Sequence, residues 1–366
     1  MGADRLIYIR TDGNSRIASG HLVRCVSVAQ ICVQKGMKVH FLVSDQESVN
    51  LLSTLTDFPI TCLKTACYNH LEQELPELCA LLAHAADEAL QAKKNIIFLL
   101  DSYYITEEYL SAVHSVNPLV KTAYIDDLQL FDYPVDLLIN YDVIPDDQLS
   151  SLEAFYQRAG KRLLGASYAP LRSQFQGREI KVRDTVSDVL ITSGGSDPYH
   201  FCLELSKKLC KVAVPSIETV TFHIVVGRLN TDREALYALS RQYPFLQLHE
   251  NVSDMASLMA KCDLAVSASG TTLYELCALG VPTISFTMAD NQLTAARAFE
   301  ETGAIPCAGN LCTDYETVME HVTLFLKSML TASASSYSKR KSAHDTMHRL
   351  IDGMGALRIA DAMMKL

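Results

Sequence analysis

A glycine, a histidine and an arginine stand where the first predicted strand gives way to a helix. The stretch RIASGHLVRC, residues 16–25, ends a polar loop, so Gly20 and His21 open the helix and Arg24 follows one turn later on the same face. The positive end of the helix dipole disfavours a charged imidazole, and an uncharged imidazole can accept a proton. We therefore predict that His21 is a general base, with a hydrogen-bonded packing histidine as the alternative. Arg24 is predicted to bind a carboxylate or to orient the loop.

Two glycine-rich turns in the second half of the chain have the composition of anion cradles. Each follows a predicted strand and opens a helix, whose free N–H groups can bind a phosphate. Their candidate ligand-binding residues are Gly194, Gly195, Ser196 and Asp197 in SGGSDP, and Ser269, Gly270, Thr271 and Thr272 in SASGTTLYE. The alternative for the first turn is a tight turn that needs positive φ. Neither turn is a Walker A loop or a G-x-G-x-x-G fingerprint, which disfavours a nicotinamide dinucleotide.

Further polar side chains lie close to the second turn in the sequence. Glu275, one turn into the helix, could accept hydrogen bonds from two vicinal hydroxyls, as on a ribose, or cap its own helix. Asn291 and Gln292 follow the next strand, where capping of the following helix competes with ligand binding for residues 290 and 291. His344 and His348 are spaced as a metal pair but have no third ligand, so we predict a solvated helix face and no metal site.

Strands and helices alternate along the chain. Predicted strands are short apolar runs and predicted helices are longer, as expected of a parallel sheet covered on both faces. The strands of the first half fall at 6–10, 38–43, 95–100, 122–125 and 134–140, with helices at 21–35 and about 70–91. A connector at about 141–185 precedes a second series, which has a strand at 188, a helix at 199–213 and strands within ETVTFHIVVG, FLQLHE, CDLAVSASG and VPTISF. Helices at 312–330 and 338–366 end the chain.

The predicted fold is α/β with two doubly wound domains in tandem. The first spans residues 1–170 and carries His21; the second spans 185–366, with its last helix free to pack back on the first. Ligands of such sheets bind beyond the carboxyl ends of the strands, which is where the polar loops fall. A length of 366 residues also favours two domains.

Composition limits the function classes. A net charge of −10 argues against a nucleic-acid partner, although a small anion needs only a local site. Eleven cysteines without a C-x-x-C pair predict reduced side chains in a cytoplasmic protein. No signal peptide and no apolar run of transmembrane length is recognised, so we predict no membrane insertion. We expect a monomer or a weak homodimer.

Seven stretches together resemble one family of nucleotide-sugar enzymes. They are IASGHLVRC, IDDL, DLLIN, LGASYAPLRSQF, SGGSDP, SASGTTLYELCALGVPTISFTMADNQ and DGMGALR, and the likeness runs from about residue 5 to 360. The family is that of the UDP-2,4-diacetamido-2,4,6-trideoxy-β-L-altropyranose hydrolases of pseudaminic acid biosynthesis, with the similar spore-coat polysaccharide proteins. The second half also resembles the glycosyltransferase that makes lipid II, which implies a GT-B fold with the ligand in the cleft between two Rossmann-like domains.

The resemblance implies a role for each candidate residue. His21, after Gly20 and before Arg24, corresponds to the family's catalytic base, and Asp101 and Tyr103 to residues near the sugar. The turns at 194–197 and 269–272 flank the pyrophosphate, Glu275 holds the ribose, and Asn291 and Gln292 face the diphosphate or the sugar. Backbone groups near ENVSDM, including those of Val252 and Met255, read the uracil. The family usually has glycine where this chain has Ala18, and DSYY lacks the glycine that often follows its tyrosine.

The expected reaction is release of UDP from a UDP-linked diacetamido-trideoxyhexose, with inversion and without a metal or other cofactor. UDP carries its charge on two phosphates and needs little general-acid help, while His21 takes a proton from the attacking water. A glycosyltransferase on the same fold and a non-catalytic nucleotide-sugar-binding protein are the alternatives. The acidic stretch LEQELPELCALLAHAADEALQAKK gives little support to an acceptor-binding surface.

Overall fold

The short apolar runs form strands and the segments between them form helices in the computed structural model, which describes residues 5–63, 68–92, 94–211 and 219–366. The strands are β1 Leu6–Thr11, β2 Lys38–Val43, β3 Ile60–Cys62, β4 Ile96–Asp101, β5 Val120–Ile125, β6 Leu137–Asn140, β7 Lys161–Leu164, β8 Asp188–Thr192, β9 Thr221–Val225, β10 Leu246–His249, β11 Leu264–Ala268, β12 Thr283–Thr287 and β13 Cys307–Asn310. Residues 212, 213 and 218, at the ends of a predicted helix and a predicted strand, lie outside the described residues.

Helices follow most strands and return the chain to the start of the next. They are α1 Gly20–Gln34, α2 Gln46–Ser53, α3 Leu75–Ala92, α4 Glu107–His114, α5 Asp146–Phe155, α6 Phe201–Lys211, α7 Arg233–Gln242, α8 Met255–Lys261, α9 Thr272–Leu279, α10 Leu293–Glu301, α11 Tyr315–Leu330, α12 Ala334–Leu350 and α13 Gly355–Met363. Short 3₁₀ turns occupy Leu71–Glu74, Ala166–Tyr168, Ser173–Phe175 and Asp290–Gln292.

Two parallel sheets organise these elements into two units. The first sheet has the order β3-β2-β1-β4-β5-β6-β7 and the second has the order β10-β9-β8-β11-β12-β13. In each sheet the chain winds outward from its first strand and then returns to that strand's other side. The direction of winding therefore reverses between β1 and β4 in the first sheet, and between β8 and β11 in the second. The predicted fold class, two doubly wound parallel-sheet domains, is confirmed.

The boundaries differ from the predicted ones because the chain crosses between the units more than once. The first unit comprises the residues up to Asp142, then Asp146–Ser173 and Met354–Leu366; the second comprises Val143–Pro145 and Gln174–Gly353. The last helix, α13, therefore lies in the first unit. Its apolar side chains join the first core beside α1 and β1, and the buried ones are Ala356, Ile359, Ala360, Ala362 and Met363.

Three strands and one helix break escaped the sequence prediction. β3 and β13 are only three and four residues long, and β7 begins with the exposed Lys161 and Arg162, so none shows a clear apolar run. The predicted helix 338–366 is wrong as one element: it is α12 and α13, separated at Gly353, which has a φ of 76°.

Two glycines of the DGMG stretch are explained by close backbone packing within each unit. A Cβ on Gly353 would lie 2.4 Å from the carbonyl oxygen of Phe175, and one on Gly355 would lie 2.1 Å from that of Ala169. Real Cβ atoms do not approach so closely, and a carbonyl of the main chain cannot swing aside as a side chain can. Backbone packing between LGASYAPLRSQF and DGMGALR therefore accounts for both glycines.

Gly355→Ala is expected to lower the free energy of unfolding by about 1–3 kcal/mol, the usual cost of overpacking a tight contact. Gly20→Ala is the matched control, since a Cβ there meets nothing within 4 Å and the residue has no left-handed φ. Urea denaturation followed by circular dichroism measures both. Equal stability of the two variants would contradict the packing argument.

Candidate functional site

His21 is held by a buried carboxylate at the point where the first sheet changes winding direction. The parallel register pairs Thr11 at the end of β1 with Asp101 at the end of β4, so the start of α1 lies beside Asp101. His21 Nδ1 is 2.6 Å from Asp101 Oδ1. The ring of Tyr103 meets the imidazole edge-on, with 4.4 Å between the ring centroids. The His21 side chain is 5% exposed, so the pair is buried.

The charge of Asp101 decides which ring nitrogen of His21 carries the proton. Burial alone would raise the pKa of this carboxyl, but the Arg24 guanidinium and His21 outweigh burial and hold the pKa well below its ordinary value. An ionised carboxylate only accepts hydrogen bonds, so Nδ1–H donates to Asp101. Arg24 Nη2 is also 2.9 Å from Nδ1, but a protonated Nδ1 cannot accept. Nε2 makes no hydrogen bond to any residue that the structure describes, and its lone pair is left to accept a proton.

The guanidinium of Arg24 binds two carboxylates and a tyrosine hydroxyl of the protein. Its guanidinium donates to both oxygens of Asp101, with Nε 2.6 Å from Oδ2, and to Asp127 at 2.7 Å. The Tyr141 hydroxyl lies 2.5 Å from Nη1. Burial raises the pKa of Asp127 although Arg24 opposes this, and burial also raises the pKa of Tyr103, which stays a phenol. Arg24 and Asp101 are thus bound to each other, and their predicted contact with a substrate stays a prediction.

A second buried charge cluster anchors the loop between β1 and α1. Arg10, fully buried, donates to both oxygens of Glu74 at 2.7 and 2.8 Å and to Asp12 at 2.6 Å. Tyr109 donates to Glu74 at 2.5 Å, and Asp12 accepts the backbone N–H of Ser44 at 2.7 Å. Sequence reasoning missed this cluster because Glu74 is far from β1 in the chain and sits in an otherwise solvated acidic stretch.

Ala18, the departure from the family's glycine, lies in the same loop. Its φ is 58°, in the left-handed region that glycine adopts more readily than alanine. The loop is closed locally by Asn14, whose side-chain oxygen accepts the backbone N–H groups of Arg16 and Ile17. The chain therefore keeps at Ala18 a backbone conformation suited to glycine.

The second unit presents unpaired hydrogen-bond donors where its own sheet changes winding direction. Ser267, near the end of β11, pairs with Thr192, the last residue of β8. Just beyond, Ser269 is 2% exposed and its Oγ has no partner among the described residues. Thr271, the N-cap of α9, makes no side-chain cap, and among those residues the amides of Thr271 and Thr272 donate to no acceptor. A buried hydroxyl without a partner costs free energy, so this arrangement favours an external acceptor.

Three glycines of the predicted site, Gly20 in the first unit and Gly195 and Gly270 in the second, have no packing reason to lack a side chain. A Cβ on Gly20, Gly195 or Gly270 would meet nothing within 4 Å, and none of the three has a positive φ. Gly194 is explained by its φ of 85°. Gly227, which sequence reasoning missed, is explained by contact, since its Cβ would lie 2.3 Å from the Gly194 carbonyl oxygen. The open glycines leave room for a ligand to approach the backbone.

Other predicted contacts are partly used within the protein. Asp197 is 3% exposed, and its two oxygens accept the backbone N–H groups of Phe201 and Cys202 at 2.9 and 2.8 Å. Asp197 therefore caps α6 with both of its oxygens, and its predicted contact with a phosphate stays a prediction. Ser196 stays exposed beside it. The Gln292 side-chain oxygen accepts the backbone N–H of Met288 at 2.8 Å, which leaves its amide nitrogen for a ligand.

The remaining candidates lie near strand ends of the second sheet. Glu275 is half-buried in the first turn of α9, and Asn291 is exposed and makes no helix cap. Val252 and Met255 are half-buried after β10, where Asp254 caps the short helix α8 through the Ser257 amide.

The predicted solvated face of His344 and His348 is wrong. His344 is 1% exposed and its Nδ1 is 2.8 Å from the Gly280 carbonyl oxygen; His348 Nδ1 is 2.8 Å from that of Ala278. Both histidines therefore satisfy carbonyls at the C-terminus of α9, where orphan acceptors gather. The Glu179 carboxylate is 3.0 Å from His344 Nε2. Within the described ranges no group of three or more His, Cys, Asp or Glu side chains is arranged to hold a metal ion.

Two tandem doubly wound units define a protein of the GT-B fold class. Residues 190–350 match the model of the glycosyltransferase family 28 C-terminal domain. The crystal structure of MurG from Acinetobacter baumannii superposes with a TM-score of 0.69 at 14% identity, covering 99% of this chain and 100% of that one. None of the helices in the described part of the chain combines the length and apolarity that a bilayer span needs.

Curated relatives confirm the resemblance drawn from the sequence. The spore coat polysaccharide biosynthesis protein SpsG of Bacillus subtilis is 28% identical over 204 residues, which are 55% of this chain and 58% of SpsG. A Helicobacter pylori protein named as pseudaminic acid cytidylyltransferase and UDP-2,4-diacetamido-2,4,6-trideoxy-beta-L-altropyranose hydrolase is 28% identical over 141 residues, 38% of this chain and 24% of that protein. The chain thus matches little more than half of the first relative and about a quarter of the second, and only the second is named for an action on a UDP-sugar.

Asp101→Asn is expected to lower the free energy of unfolding by about 3–5 kcal/mol at pH 7, because it leaves the Arg24 charge short of a partner. The folded pKa of Asp101 lies well below its unfolded value, so its contribution is full above about pH 5 and is lost progressively as the pH falls from about 4 toward the folded pKa. Urea denaturation at pH 7, 4 and about 2.5 should show that the difference in unfolding free energy between wild type and variant narrows between the two lower pH values. The surface variant Asp345→Asn should track the wild type, and a constant gap for Asp101→Asn would contradict the ion pair.

Two neighbouring buried serines should respond to alanine in opposite ways. Ser269→Ala removes an unpaired hydroxyl and is expected to raise the free energy of unfolding by about 1 kcal/mol. Ser267→Ala removes a hydroxyl that donates to the Ala268 carbonyl at 3.0 Å and is expected to lower it by a similar amount. Thermal unfolding without added nucleotide measures both, and a loss of stability in Ser269→Ala would show that its hydroxyl has a partner within the protein.

Proposed function

We propose that this protein hydrolyses a UDP-linked diacetamido-trideoxyhexose at the anomeric C–O bond, with inversion, and releases UDP and the free sugar. The observation that carries the proposal is the His21–Asp101 pair: the proton on Nδ1 is fixed by an ionised carboxylate, and Nε2 is left as a base. Similarity to the Helicobacter pylori protein, whose name includes this hydrolysis, supports the substrate class.

The second unit supplies the UDP-binding part of the proposal. The Ser269 hydroxyl and the amides of Thr271 and Thr272 donate to the diphosphate, and the open glycines at 195 and 270 admit it to the backbone. Each well-placed donor of this kind is worth ~2–4 kcal/mol to a leaving group that gains charge. Glu275 accepts from the ribose hydroxyls, and backbone groups at Val252 and Met255 read the uracil. Asn291 and the Gln292 amide face the diphosphate or the sugar.

The chemical step is a single displacement. The oxygen of a water molecule bonds to the anomeric carbon while one of its protons passes to His21 Nε2. The bond from that carbon to the phosphate oxygen breaks, and its electron pair leaves with UDP. Asp101 stabilises the imidazolium that forms, and Tyr103 contacts the imidazole edge-on and lies where the sugar is held. The step uses no metal.

A glycosyltransferase is the second candidate, and the match of residues 190–350 to a glycosyltransferase domain favours it. In that reaction a hydroxyl of an acceptor replaces water, and the same base removes its proton. A non-catalytic nucleotide-sugar-binding protein, by contrast, has no use for the His21–Asp101 pair. A cytoplasmic location and a monomeric or weakly dimeric state stay predictions.

His21→Asn is expected to slow UDP release by about 10²–10⁴-fold while the Kd for UDP changes less than twofold, because the side chain acts as a base and does not hold UDP. The assay incubates the protein with a panel of UDP-diacetamido sugars without an acceptor and measures free UDP. His114→Asn, at the exposed C-terminal end of α4, is the matched control. Turnover of His21→Asn at the parent rate contradicts the base, and UDP release by the parent only after an acceptor is added indicates the transferase.

A further inference from the structure

Asn230 lies in the turn after β9 and carries a donor that the fold does not use. Its side chain is 7% exposed, and its Oδ1 accepts the backbone N–H of Asp232 at 2.7 Å. This contact fixes which end of the amide is oxygen. The Nδ2 group, turned the other way, is buried and has no hydrogen-bond partner among the described residues.

The turn explains the oxygen of the Asn230 side chain but not its NH₂ group. An asparagine whose oxygen accepts the N–H two residues later forms an Asx turn, and aspartate or serine can form the same turn without bringing a buried N–H group. Leaving such a donor unpaired costs free energy. A residue that carries this cost beside exposed glycines is better explained by an acceptor that arrives from outside the protein.

Asn230 stands next to the glycine turn that was assigned to the diphosphate. Leu229 donates its backbone N–H to the Gly195 carbonyl at 3.0 Å, and Gly227 packs directly on Gly194 and Gly195. In the sheet, β9 and β11 are the two neighbours of β8. The turn after β8 is thus flanked on one side by Asn230 and on the other by the unpaired donors that begin at Ser269.

We infer that Asn230 Nδ2 donates a hydrogen bond to an oxygen acceptor of the bound nucleoside diphosphate. The inference rests on the proposed function and adds a binding residue on the β9 side of the turn after β8. The acceptor is a phosphate oxygen or an oxygen of the nucleoside, and the two differ in charge. A carboxylate at this position repels a phosphate far more strongly than it repels a neutral carbonyl or hydroxyl.

The test measures binding of UDP, UMP and uridine to the whole chain by calorimetry for the wild type, Asn230→Asp and Asn230→Ser. Both variants keep an acceptor for the Asp232 amide and lose the Nδ2 donor. Asn117→Asp is the matched control, since its Oδ1 accepts the Leu119 amide in the same kind of turn, before β5 of the other unit. Thermal unfolding without nucleotide verifies that each variant is folded. If Asn230→Asp is not folded, the binding measured for Asn230→Ser tests the inference.

We expect both Asn230 variants to bind UDP about 10- to 100-fold more weakly than the wild type, and Asn117→Asp to bind it equally well. A larger loss in Asn230→Asp for UDP than for uridine identifies a phosphate oxygen, and equal losses identify the nucleoside. Folded variants that bind UDP as the wild type does overturn the inference. A wild type that binds neither UDP nor UMP overturns the proposed function instead.

Discussion

The orientation of His21 depends on one buried negative charge, that of Asp101. A carboxylate removed from water must be matched by positive charge and hydrogen bonds, and Asp101 obtains both from the first two turns of α1. The strand register brings Asp101 to the start of α1, and its ionised carboxylate then decides which nitrogen of His21 faces away. Arg24 then needs Asp127 and Tyr141 to complete its own contacts. These hydrogen bonds and ion pairs offset the cost of burying the charges, and they hold the imidazole of His21 in one orientation.

The second unit uses the same topology to a different end. Its winding direction also reverses beside its first strand, but the groups at that edge are hydroxyls and amides instead of charges. In the first unit the candidate residues are largely satisfied by one another. In the second, the Ser269 hydroxyl and the Asn230 Nδ2 group have no hydrogen-bond partner among the described residues, and a Cβ on Gly195 or Gly270 would contact nothing. The mutually bonded groups of the first unit suit a reacting group that must keep one orientation. The unpaired donors of the second unit suit the binding of an anion.

Apolar runs and glycine-rich turns were sufficient to predict the two doubly wound domains, because buried parallel strands leave a strong local pattern. β7 has no such pattern. It lies at the edge of the sheet and begins with two exposed basic residues, so only pairing with β6 identifies it as a strand. Spacing along α1 placed His21 and Arg24 on one face, but Asp101 is distant in the chain and its pairing with them follows from strand register. Asp197 looked like a phosphate contact because a capping aspartate and a ligand-binding one share the same local sequence. His344 is buried because its ring binds a carbonyl at the end of α9. The sequence of α12, which carries His344, does not indicate that contact.

The placement of α13 has a consequence for the order in which the protein acquires its structure. Residues 354–366 fill part of the core that α1 and β1 begin, although more than 300 residues separate them along the chain. During synthesis the second unit has all of its residues outside the ribosome before the first does. The amino-terminal unit therefore leaves apolar surface around α1 uncovered until α13 has emerged.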